Sequence, residues 1–133
     1  AIELLLKAAQ SFDLVPEKRN SILDLVIDTL RDAGVFADGI QRIPVLQKAL
    51  NLGTSLNDRT FLFAVYDEFL GADSIPQLFQ PPAPYLEEYL NSSTDLTSPI
   101  TRKKLDLYCD FCVTHRQYLK AAKVKEYIAK NHG

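Results

Sequence analysis

The residues best able to do chemistry in this chain are Cys109 and Cys112, set as Cys109-Asp110-Phe111-Cys112 with His115 close behind. A C-x-x-C pair can be a thiol–disulfide centre or half of a zinc site. The context supports neither. No second cysteine or histidine pair stands at zinc-finger spacing, and three ligands at i, i+3 and i+6 of one helix do not close a tetrahedron. A redox motif follows a strand, whereas this one lies among Leu105, Leu107 and Phe111 in a helical pattern. Both cysteines are therefore expected to be small buried hydrophobes. With only two cysteines there is no disulfide framework, and a reducing compartment, cytosol or nucleus, is expected.

The remaining polar residues offer little more. The only histidines, His115 and His132, sit near a helix end and the chain end, where a solvated or capping role is usual. Asp67-Glu68 and Glu87-Glu88 are adjacent carboxylates, but neighbouring helix positions point about 100° apart, so neither pair converges on a substrate. Phosphate-binding glycine patterns, His-Glu-x-x-His and nucleophile elbows do not occur. The expectation is no enzyme, with no catalytic, metal-binding or cofactor-binding residue.

Charge is the other lead. Residues 1–98 carry 7 Lys/Arg against 14 Asp/Glu, and residues 99–133 carry 8 against 3, an acidic body with a basic end. The basic end comprises Arg102-Lys103-Lys104, Arg116, Lys120, Lys123, Lys125 and Lys130. Three cations in the first turn of a helix oppose its dipole, at about 0.3 kcal/mol or more each. The bland reading is a solvated surface. The functional one is a docking surface for an acidic partner, made by Arg102, Lys103, Lys104, Tyr118, Lys120 and Lys123. Nucleic acid is disfavoured, because no aromatic residues are interleaved for base stacking.

Helical periodicity must position these groups. Ile2, Leu5, Leu6, Ala9 and Phe12 form one helix face before Pro16. A second helix is expected from about Glu17 to Ala33. Asp24, Asp28, Arg31 and Asp32 make its polar stripe, and Ile22, Leu23, Leu25, Val26, Ile27 and Leu30 cover most of the rest. Gly34 stands where a C-cap glycine belongs. A third should start near Pro44, turn Val45, Leu46, Ala49 and Leu50 inward, and end at Gly53. Asp58 reads as the N-cap of a helix to about Leu70. That helix has almost no polar face and must be covered on more than one side.

A short helix over Ser74–Phe79, a stiff Pro81-Pro82-Ala83-Pro84 connector and a short helix over Tyr85–Leu90 follow. After a polar loop, Ser98-Pro99 opens a helix to about His115, with Leu107, Tyr108, Phe111 and Cys112 inward. A last helix near Gln117–Lys130 offers Tyr118, Ala121, Ala122, Val124 and Ile128. No strand pair is expected, since Asp38-Gly39 lacks alternating apolar flanks.

Helices joined by short turns are antiparallel neighbours. The doubly apolar helix 58–70 and the aromatic–turn–aromatic–alanine pattern of residues 111–122 favour stacked hairpins over a closed bundle. The reading is all-α: an irregular α-solenoid of stacked antiparallel helical hairpins, residues 1–133 forming a single segment. The absence of methionine suggests a piece of a much longer protein, and the amphipathic start is not a leader peptide. No apolar run approaches the ~20 residues needed to cross a bilayer, so no membrane insertion by this segment is expected.

Four blocks then carry a resemblance: Asp58–Leu70, Pro84–Leu90, Asp106–Phe111 and Tyr118–Val124. In order and spacing they resemble the large non-repetitive nucleoporins of the nuclear pore inner ring. The chain departs from that family in having Glu68 and Cys109 where tryptophan tends to stand. The resemblance implies the C-terminal α-solenoid of a scaffold nucleoporin, at the nuclear envelope in the nuclear pore complex. It implies support of pore assembly and nucleocytoplasmic transport through contacts with linker and inner-ring nucleoporins, and neither catalysis nor cofactor nor small-molecule substrate. Membrane contact in that family belongs to a propeller outside this segment. The alternative is a helical-repeat adaptor that binds peptide or cargo, such as a vesicle-coat or sorting subunit.

Overall fold

A computed structural model of the chain describes residues 2–9, 16–31, 42–92 and 95–131. The helices are α1 (Ile2–Ala9), α2 (Pro16–Arg31), α3 (Arg42–Leu56), α4 (Arg59–Gly71), α5 (Leu86–Leu90), α6 (Pro99–Thr114) and α7 (Tyr118–Asn131), with a 3₁₀ helix at Ile75–Leu78. No strand occurs among the described residues, and the chain is all-α, its helices packed pairwise. It divides into two compact units, Ala1–Ala72 and Asp73–Gly133. No helix among the described residues is long and apolar enough to cross a membrane. The side chains of Ile2, Leu5 and Ala9, together with Phe12, Asp32, Ala33, Gly34, Asp38-Gly39 and His132, lie outside the described residues.

In the first unit α1 packs on α2 and α3, α3 on α4, and α2 on α4. Leu23, Val26, Ile27 and Leu30 are the buried face of α2, while Leu25 is 52% exposed on its outer side. The expectation that α4 is covered from more than one side holds, because α2 and α3 both lie against it. Phe61, Leu62, Val65, Tyr66, Phe69 and Leu70 are buried, and Arg59 lays its guanidinium 4.6 Å from the centre of the Phe63 ring. Asp58 caps α4 as its residue type suggests, its Oδ1 accepting the Phe61 N–H at 3.0 Å.

Gly53 does not end α3. The helix continues through it to Leu56, and the stop is Asn57, in the left-handed region at φ 51°. There Asp58 N–H donates to the Gly53 carbonyl and Asn57 N–H to the Thr54 carbonyl, each at 3.2 Å, the paired bonds of a Schellman turn. Gly53 serves packing instead. A β-carbon there would sit 2.6 Å from Leu62 Cδ2, 2.9 Å from Leu62 Cγ and 3.0 Å from Phe61 Cδ2, so its bare backbone is what lets α3 approach α4.

In the second unit α6 is the central element, packed against α7, α5 and the 3₁₀ helix. Leu105, Tyr108, Cys109, Phe111 and Cys112 are its buried face, and Leu107 is only half-buried. The proline run is not an extended connector: Ala83 N–H returns to the Leu78 carbonyl at 3.0 Å and folds the segment back. Tyr85 is left-handed at φ 60°, so α5 begins at Leu86. At Ser98 the backbone takes the N-cap conformation, but its hydroxyl makes no capping bond. Of the residues assigned inward on α7, Ala121 and Ile128 are buried, Val124 is half-buried, Ala122 is exposed, and Tyr118 is 62% exposed.

The α6–α7 reversal repeats the Schellman bonds, Gln117 N–H to the Cys112 carbonyl at 2.7 Å and Arg116 N–H to the Val113 carbonyl at 3.0 Å. Arg116 takes the left-handed position at φ 59°, where glycine is the usual occupant.

Two predictions follow from these backbone positions. Gly53→Ala gains helix propensity of ~1 kcal/mol but forces a methyl into Leu62, an overpacking cost of ~1–3 kcal/mol, so it should lower the urea midpoint. Gly71→Ala, with open space around its β-carbon, should raise the midpoint by the equivalent of ~0.5–1 kcal/mol. Equal shifts of the same sign would refute the packing role of Gly53. Separately, Arg116→Gly should stabilise the chain by about 1 kcal/mol in thermal unfolding, by relieving the left-handed β-carbon.

Candidate functional site

The polar centre of the second unit is Glu87, in the first turn of α5. Its Oε2 accepts the Tyr108 hydroxyl at 3.1 Å and lies 3.5 Å from Lys120 Nζ. One carboxylate thus receives a group from α6 and another from α7. Burial, reinforced by the hydrogen bond to Glu87, pushes the Tyr108 phenol above its ordinary value, so it stays a neutral donor.

Around this junction the expected basic surface divides. Arg102, Lys103 and Lys104 are consecutive on α6 and point about 100° apart. Lys103 Nζ meets Asp73 Oδ1 at 2.6 Å, in a pair whose carboxylate is 80% exposed. Lys104 Nζ lies 4.3 Å from the centre of the Tyr89 ring. Lys104 and Lys120 therefore reach α5 from different helices, at Tyr89 and at Glu87. Arg102, Tyr118 and Lys123 are exposed. Counted from Pro99, only Arg102 falls in the first turn of α6, so the expected misfit of three cations with the helix dipole does not arise for Lys103 and Lys104, which find local partners in the second turn. Sequence reasoning did not pair Asp73, Glu87 and Tyr89 with the basic residues, because a cross-helix pair has no fixed spacing along the chain.

His115 is neither simply solvated nor a ligand. Its Nε2 donates to the Phe79 carbonyl at 2.8 Å, and its ring centre lies 4.4 Å from that of Phe111. Phe79 meets Phe111 edge-on at 5.5 Å, and Gln80 Nε2 reaches the Thr114 carbonyl at 3.5 Å. These contacts fasten the end of α6 to the segment after the 3₁₀ helix.

Cys109 and Cys112 are free and buried. Cys109 Sγ points at the Ala121 carbonyl, 3.8 Å away, in the α6–α7 crossing. Burial raises both thiols above their ordinary values, which disfavours the thiolate that redox chemistry or metal binding requires. Among the described residues no three His, Cys, Asp or Glu side chains are grouped to hold a metal ion.

In the first unit a groove of about 770 Å³ runs between α2 and α4. Asn20, Asp24, Asp28 and Arg31 line one wall and Asp58, Thr60 and Ala64 the other, with Leu23, Ile27 and Phe61 beneath. Arg31 leans toward Glu68, Nε to Oε2 3.7 Å, which leaves the groove acidic. Sequence reasoning found the Asp24/Asp28 stripe but not the opposite wall.

In the comparison with protein families, the model for the C-terminal region of non-repetitive/WGA-negative nucleoporins matches residues 1–133. Comparison with curated proteins and with solved structures finds no match.

The cysteine geometry is directly testable. A group whose folded pKa is raised is more protonated when folded, so thiol-specific labelling of the native chain at neutral pH should be slow and should rise on adding urea. Rapid labelling of both cysteines in the folded chain would overturn their assignment to the core.

Proposed function

The chain belongs to the C-terminal family of the non-repetitive nucleoporins, a structural and generally non-catalytic family of the nuclear pore complex, and on that premise we propose that it is a scaffold segment of the pore's inner ring. It works by protein–protein contact, and its partners are linker and inner-ring nucleoporins. The segment is part of a longer α-solenoid, and residues 1–133 act within it as one stretch of stacked hairpins.

The observation that carries this reading is the α6–α7 hairpin. Its inner face is closed by Cys109, Ala121 and Ile128, while Val113, Tyr118 and Leu119 remain 46%, 62% and 70% exposed around its turn. Apolar side chains of this size left outside a packed hairpin suit a surface that receives another protein. Arg102, Lys103, Lys104, Lys120 and Lys123 add positive charge to the same hairpin and favour an acidic partner. Lys103 can exchange the solvent-exposed Asp73 for a partner carboxylate at little cost, because exposed ion pairs are worth only ~0–1 kcal/mol.

The test is titration calorimetry of the chain with purified linker and inner-ring nucleoporins. Arg102→Glu with Lys103→Glu should weaken the bound partner roughly tenfold or more and leave the helical circular dichroism unchanged. Undiminished affinity in the folded double variant would remove the basic end from the interface.

A further inference from the structure

The acidic groove and the basic hairpin are complementary surfaces on one chain. The α2–α4 groove carries Asp24, Asp28 and Asp58, and Asp24 and Asp28 form no ion pair among the described residues. On α7, Leu119, Lys123, Tyr127 and Lys130 recur at spacings of four, four and three, which aligns them along one helix face. Leu119 and Tyr127 are 70% and 36% exposed, Lys123 has no ion pair among the described residues, and Lys130 is tied only to Glu126 on its own helix at 2.8 Å.

We propose that α7 of one copy of this chain docks along the α2–α4 groove of a second copy, with Lys123 and Lys130 answering Asp24, Asp28 and Asp58. The match is one of period as well as sign. Asn20, Asp24 and Asp28 recur every four residues, a rise of ~6 Å, and so do Leu119, Lys123 and Tyr127. Leu119 supplies an apolar anchor beside Ala64 and Phe61. The contact joins two different surfaces, so it is heterologous. It rests on the basic-hairpin reading above for α7 alone, and names a second copy as one acidic partner.

Sedimentation velocity on the whole chain tests it. Association should grow with concentration and weaken roughly tenfold or more between ~0.1 M and ~1 M salt, where the Debye length falls from ~10 Å to ~3 Å. Asp24→Lys with Asp28→Lys should sediment as a monomer, and so should Lys123→Glu with Lys130→Glu. All four positions are exposed, and circular dichroism verifies that each variant is folded. Mixing the two charge-reversed variants should restore association, since the basic groove of one then meets the acidic α7 of the other. A wild-type monomer at high concentration and low salt overturns the proposal. Loss of association in the α7 variant alone overturns the groove as the receptor while leaving the basic hairpin as a docking surface. If charge reversal on α7 also leaves nucleoporin binding and association untouched, both readings fall.

Discussion

Helix ends govern this molecule. Helices of 5 to 16 residues are marginal on their own in water, because a costly first turn is repaid by too few bonds. Each therefore needs a neighbour, and each leaves backbone carbonyls and N–H groups that the reversal must satisfy. At Asn57 and at Arg116 the chain solves this in the same way, with paired Schellman bonds around one left-handed residue. That turn is short enough to send the next helix straight back along the last, so the α3–α4 and α6–α7 pairs follow from it.

What the reversals bring together differs between the units. At α3–α4 the crossing is close because Gly53 has no side chain, and Leu62 fills the space. At α6–α7 it is close because Ala121 is small and Cys109 sits against its carbonyl. The cysteines thus belong to the packing of the hairpin, and the spacing that suggests a metal or redox motif is the helical period itself. His115 belongs there too, since it gives its proton-bearing nitrogen to Phe79 and holds the segment before α5 against the end of α6.

Membership in a nucleoporin family accounts for a chain rich in surface and poor in chemistry. Among the described residues the buried side chains are apolar or neutral hydrogen-bonding groups, and the charged ones lie mostly outside, with residues 1–98 net acidic and residues 99–133 net basic. Such a division costs the fold little, because exposed charges interact weakly through water. Opposite charge on two surfaces can steer which of them meet.

The helices, their order and the all-α class were legible in the sequence, because a 3.6-residue apolar period, an aspartate N-cap at Asp58 and a proline at the first position of α6 are local signals. The charge asymmetry was legible for the same reason, being a sum over residues. Local reasoning failed where one residue type serves two purposes. Gly53 could stop a helix or let another approach, and only the presence of Leu62 across the crossing decides between them. Asn57 and Arg116 end their helices although the second is a residue that rarely turns left-handed. The proline run folds back because the Leu78 carbonyl is there to receive Ala83. The basic residues divided for a similar reason: Lys103, Lys104 and Lys120 found Asp73, Tyr89 and Glu87, partners that become neighbours only once α5, α6 and α7 are packed. Contacts between helices depend on crossing geometry, which no spacing along a single chain encodes.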